Sequence, residues 1–99
     1  MEIIITDKAW KHIQKRHDTI TKLSIYEAMN DPLKDIYDPW DDNRDDVAIA
    51  IVGYSDDIKT LVHVVIDKNN YFTTARVVTA WEANGSYYKS YYNSNKRRW

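Results

Sequence analysis

The chain has 99 residues, a net charge of −1 and no cysteine, so it has room for one hydrophobic core and none for disulfides, thiolate metal sites or a cysteine nucleophile. No apolar run approaches the roughly 20 residues of a membrane span, and MEIIITDK lacks the charged and apolar regions of a secretory signal. A single domain over residues 1–99, remaining in the cytoplasm and away from membranes, is therefore expected. The balanced charge offers no general pull on nucleic acid, but it is segregated: acid gathers in residues 35–46, and the chain closes on Lys96, Arg97, Arg98 and Trp99. Four Trp and eight Tyr supply large apolar surfaces with polar tips, suited to packing, interfaces or base stacking.

In chain order, residues 2–6 form a short β-branched run that reads as a first strand. Thr6 or Asp7 offers an N-cap, and Ala9, Trp10, Ile13 and His17 follow at helical spacing, giving a first helix to about Asp18. Ser24 to Glu27 reads as a capping box that opens a second helix, which Asp31 and Pro32 stop. From Pro32 the pattern turns to strand, weakly over residues 33–40, then strongly over 47–54, 58–66 and 71–81. The breaks at Ser55, Asp56 and Asp57 and at Asn69 and Asn70 imply an antiparallel meander. After a polar break at residues 82–86, Tyr87 over Tyr91 and Tyr88 over Tyr92 allow a short C-terminal helix. The fold class predicted is α+β: one or two N-terminal helices packed on one face of a twisted antiparallel sheet of about four strands. The other face is expected to stay half-exposed and to offer a cleft.

The chemistry-bearing residues are few. His12 and His17 lie in WKHIQKRHD, about 140° apart on a regular helix, with Lys11, Lys15 and Arg16 around them as the densest basic patch outside the tail. One reading makes each imidazole a surface or capping group favoured by a helix C-terminus; the other makes it a proton carrier, since histidine as a residue type titrates near neutrality. His63, in LVHVV, reads as a core or cleft-wall residue. In FTTARVVTAWE, strict alternation puts Thr73, Thr79 and Trp81 on one face and Thr74 and Arg76 on the other, unless a β-bulge intervenes. A charge in a central strand is costly unless satisfied, so Arg76 either pairs with an aspartate or meets a phosphate. The acidic segment DPWDDNRDD lacks calcium-loop spacing and reads as a solvated or protein-contacting loop; no metal or other cofactor is expected.

Together, HIQKRH, a capped helix ending in NDPL, and a meander closing in RVVTAW resemble the barnase, EndoU, colicin and RelE-like ribonuclease superfamily. The likeness is to its small toxin branches, phage and contact-dependent toxins and BrnT-type toxins, and spans about residues 9 to 92. It rests on His12, Ile13, Arg16 and His17, on Asn30, Asp31 and Pro32, and on Val78, Thr79, Ala80 and Trp81. The resemblance implies metal-independent RNA cleavage, with tRNA or mRNA as substrate, by attack of a ribose 2′-hydroxyl on its own phosphate. It implies His17 and His12 as proton-transfer groups, Arg76 as the phosphate-binding cation and Thr79 as a hydroxyl donor. Tyr91, Arg16 and Trp81 become substrate contacts, and a cognate antitoxin or immunity protein becomes the partner. Two other readings stand beside it: an acidic, non-enzymatic interaction protein of the antitoxin or immunity type, and an RNA-binding module that stacks bases without cutting.

Overall fold

The computed structural model describes residues 2–37, 48–67 and 74–83. They form an α+β fold with the order β1 (Glu2–Ile4), α1 (Asp7–Arg16), α2 (Lys22–Asn30), β2 (Asp35–Tyr37), β3 (Ala48–Ser55), β4 (Thr60–Asp67) and β5 (Thr74–Glu82). The sheet has five strands in the order β1-β5-β4-β3-β2. It exceeds the expected four strands by one and is mixed: the β2–β3, β3–β4 and β4–β5 pairs are antiparallel, but β1 runs parallel to β5. A three-residue strand carries too little alternation to announce its partner or direction, which is why only the meander was readable. The short C-terminal helix, like Trp40, Thr73 and Tyr91, lies outside the described residues.

Both helices cover one face of the sheet. Ile13 of α1, Ile20, and Ile25, Ala28 and Met29 of α2 join Ile51, Val62, Val64, Ile66, Ala75, Val77 and Ala80 in one buried cluster. Gly53 is what lets α2 lie so close to β3. A Cβ built there would overlap the Ala28 carbonyl oxygen and sit 2.7 Å from its carbon, so the helix backbone occupies the space of a side chain.

The two helix boundaries differ instructively from the expected ones. α2 starts earlier, with Thr21 as N-cap: the Ser24 N–H donates to Thr21 Oγ1 and the Thr21 N–H to Ser24 Oγ, both at 3.0 Å. Ser24 is thus the third helical residue of the box rather than its first. Glu27 then serves elsewhere, its Oε1 accepting from Ser55 Oγ at 2.9 Å and from the Asp57 N–H at 3.0 Å. These bonds tie α2 to the β3–β4 turn, where Lys59 takes the left-handed conformation at φ 55°. At its other end α2 stops before Pro32 as expected, and Asp31 accepts from the N–H groups of Leu33 and Tyr54. α1 ends at Arg16 rather than Asp18, leaving His17 as its C-cap at φ −139°, ψ 68°.

Along β4 and the middle of β3 the second face of the sheet is not the half-exposed surface expected. Leu61, His63 and Val65 point away from the helices yet are only 6 %, 2 % and 2 % exposed, and Ala50 and Val52 beside them are buried too. The near-continuous apolar run LVHVVI is the signature of a strand covered on both sides, and alternation should not have been expected of it.

Candidate functional site

The site begins with an irregularity in β5. Along the β4–β5 ladder Val65 pairs with Thr79 but Ile66 pairs with Val77, so Val78 is an extra residue opposite no partner. This β-bulge shifts the alternation by one. Before it, Ala75 and Val77 face the helices and Arg76 faces away; after it, Ala80 faces the helices while Thr79 and Trp81 face away. Arg76 and Thr79, which strict alternation would separate, therefore share the second face with His63 and Trp81.

His63 and Trp81 are directly opposite across the ladder, and their rings stack at 4.1 Å between centroids with 16° between planes. Burial pushes the His63 imidazole down from 6.5 to about 4, because the charged form would lose its water, so the ring is neutral at physiological pH. A neutral imidazole is the form that packs against an indole at least cost. Trp81 is half-buried, and its ring also meets His17 at 6.2 Å and 41°.

His17 reaches Trp81 because of where α1 ends. Among the described residues β1 pairs with Thr74, Ala75 and Arg76 of β5, and α1 packs beside the same strand, so the chain leaving the helix passes the edge of β5 downstream of β1. There the His17 N–H donates to the Ile13 carbonyl at 2.7 Å and its own carbonyl accepts from the Ile20 N–H at 3.1 Å. Since His17 has left helical geometry, the angular separation expected of two histidines on one regular helix does not govern it. His12 remains inside α1, exposed, one turn before the exposed Arg16, and belongs to neither ring contact.

The group brought together is thus His17, Trp81 and His63 in ring contact, with Thr79 and Arg76 on the same sheet face. Thr79 is half-buried and Arg76 exposed. Arg76 stands opposite Asp67, a cross-strand position where opposite charges attract. The stacking of His63 on Trp81 is the feature sequence reasoning missed; a bulge and an aspartate opposite Arg76 are each open as alternatives in the sequence, without the position of the one or the identity of the other. The bulge had a signal in the adjacent valines Val77 and Val78, which interrupt an otherwise alternating strand; the other two depend on register and had none. Among the described residues no three His, Asp or Glu side chains converge as a metal ion would require, and most of the acidic segment lies outside them. No helix among them is long and apolar enough to cross a membrane. No protein-family model matches the chain, and a search of curated proteins found no match either.

Proposed function

We propose that this chain is a metal-independent endoribonuclease of the small toxin type, acting in the cytoplasm and neutralised by a cognate antitoxin or immunity protein. The observation that carries the reading is the bulge at Val78, which aligns Arg76 and Thr79 on the face where His17 meets Trp81. In this reaction a base removes the proton of a ribose 2′-hydroxyl, and the oxygen attacks the adjacent phosphorus. The bond to the 5′-oxygen of the next nucleotide breaks, that oxygen takes a proton from an acid, and a 2′,3′-cyclic phosphate remains. His17 carries one of the two proton transfers; the resemblance assigns the other to His12, which is exposed on α1 and outside the ring contacts. Arg76 offers a planar fork to the phosphorane oxygens and Thr79 a hydroxyl donor, which together offset the charge that develops in the transition state. Trp81, with Tyr91 and Arg16, contacts the RNA.

Incubation of the purified chain with total RNA in EDTA, followed by analysis of the new ends, tests the proposal. Cleavage that survives chelation and leaves cyclic phosphates is expected. Intact RNA, or cleavage that requires a divalent cation, rejects it.

One observation favours a second reading. With Asp67 opposite it, Arg76 has a structural role available that needs no phosphate, as in a non-enzymatic interaction protein. Under that reading, expression in bacteria is harmless, whereas a toxin arrests growth and its His17→Ala variant does not.

A further inference from the structure

The exposed face of α1 carries a charge pattern that helix stability explains only at its ends: Asp7 in the first turn and Lys15 and Arg16 in the last suit the helix dipole, whereas Lys8 and Lys11 gain nothing from it. Of its residues Asp7, Lys8, Lys11, His12, Gln14, Lys15 and Arg16, all exposed, four are permanent cations and one is an acid. With Ile13 directed at the core, the 3.6-residue period sets Lys8, Lys11 and Lys15 along the opposite ridge, and His12 and Arg16 on one flank. Lys11 and Lys15 are four apart, Lys8 and Lys11 three apart, so like charges neighbour one another along the ridge, an arrangement that destabilises a helix. Asp7 alone lies four residues from a lysine, Lys11. A solvated helix selected only for stability would interleave acids, as the chain as a whole does at a net charge of −1. Lys22, just beyond, is engaged differently, its Nζ 5.4 Å from the Trp10 ring centroid.

We infer that Lys8, Lys11 and Lys15 form a phosphate track that holds the backbone of single-stranded RNA, without reading its bases, and leads it along α1 to His17. This rests on the ribonuclease reading for what happens at the end of the track. The ridge rises about 10 Å over seven residues, enough to meet more than one phosphate. Its last lysine, Lys15, precedes by two residues His17, the C-cap whose ring lies against Trp81. An anionic membrane is a poorer match, because a helix lying in a bilayer surface must bury its apolar face there, and that face of α1 already packs on the sheet through Ile13 and Trp10.

Fluorescence anisotropy with a labelled single-stranded oligonucleotide lacking every 2′-hydroxyl reads binding without cutting. The full chain should bind it with an affinity that falls steeply with salt. The Lys8→Gln, Lys11→Gln, Lys15→Gln triple variant should bind about 10- to 100-fold more weakly at low salt. Its log–log salt slope should be shallower by about 2, since each phosphate of a single strand that is no longer neutralised takes about 0.7 from the slope. The corresponding triple Lys→Arg variant should keep the slope. Should the glutamine variant fail to fold, Lys11→Gln alone should still lower the slope by about 0.7. An unchanged slope in the glutamine variants overturns the inference, as does binding of phosphatidylserine vesicles or polyglutamate, with the same lysine dependence, in place of the oligonucleotide. Lysine-dependent binding without cleavage of RNA would keep the track and remove the nuclease; cleavage with an unchanged slope would do the reverse.

Discussion

The two helices lie on one face of the same sheet and differ by one residue in length, 10 in α1 and 9 in α2, yet they are held in different ways. α2 buries Ser24, Ile25, Ala28 and Met29, presses its backbone onto Gly53, and is tied by Glu27 and Asp31 to the C-terminal end of β3 and the turn that follows. α1 fully buries only Ile13 and turns lysines, Arg16 and His12 to solvent. The difference teaches a division of labour. The helix with the deeper packing carries no candidate chemistry, and the helix that carries it needs little more than one anchor and a well-placed end. Substitutions on the two helices should therefore move different observables.

The largest effect expected is on activity. His17→Ala should lower RNA cleavage by about 10²- to 10⁴-fold, the range associated with loss of a proton-transfer group. Its melting temperature should change little, because His17 is a half-buried cap whose backbone bonds an alanine can make. A variant that cleaves normally but melts much earlier would erase the distinction between the helices.

A pH titration of stability isolates the sheet beneath both helices. Between pH 6.5 and about 4 the unfolded chain protonates His63 while the folded chain does not, so stability falls as pH is lowered through this window. It is fully present above 6.5, and the loss reaches roughly 3 kcal/mol near pH 4. Because carboxylates contribute to acid unfolding as well, the informative quantity is the difference between wild type and His63→Phe, measured by urea denaturation at several pH values. The phenylalanine variant keeps a ring against Trp81 and should lack this component of the slope; parallel curves for the two proteins would count against a neutral, desolvated His63.

Next in size is Gly53→Ala. The added methyl would meet backbone atoms of Ala28, which cannot rotate away, so α2 must shift on β3. A cost of about 2–3 kcal/mol in chemical denaturation is expected. RNA cleavage per folded molecule should persist, since α2 does not touch the His17–Trp81 contact. A loss of activity as large as that of His17→Ala would show that the helices are coupled rather than independent.

Much of this arrangement was written in local sequence. The N-cap at Thr6, one of the two positions expected, the stop at Pro32, and three long strands within a few residues of their bounds all follow from patterns that span a few positions. What escaped was set by pairing or by competition. Thr21 and Ser24 both offer cap hydroxyls, and the earlier start prevailed where it left Glu27 able to bind the β3–β4 turn. The parallel pairing of β1 and the stacking of His63 on Trp81 depend on which strand lies beside which, and nothing near those residues encodes it. Of the candidate site, the residue types were legible, but the common face of Arg76 and Thr79 depended on the bulge.

The smallest effects compare the two caps. In α1, Thr6 Oγ1 accepts one bond, from the Ala9 N–H at 3.2 Å. In α2, Thr21 Oγ1 accepts from the Ser24 N–H at 3.0 Å and also donates to Asp57 Oδ2 at 2.5 Å, so it caps the helix and fastens the turn. Thr6→Ala should cost about 1 kcal/mol and Thr21→Ala up to about 2. Hydrogen exchange shows where the losses fall: in the first the α1 amides alone should exchange faster, and in the second both the α2 amides and those of the β3–β4 turn. Equal costs with exchange confined to each helix would mean that the Thr21–Asp57 bond adds nothing, and that α2 owes its firmer hold to its buried side chains.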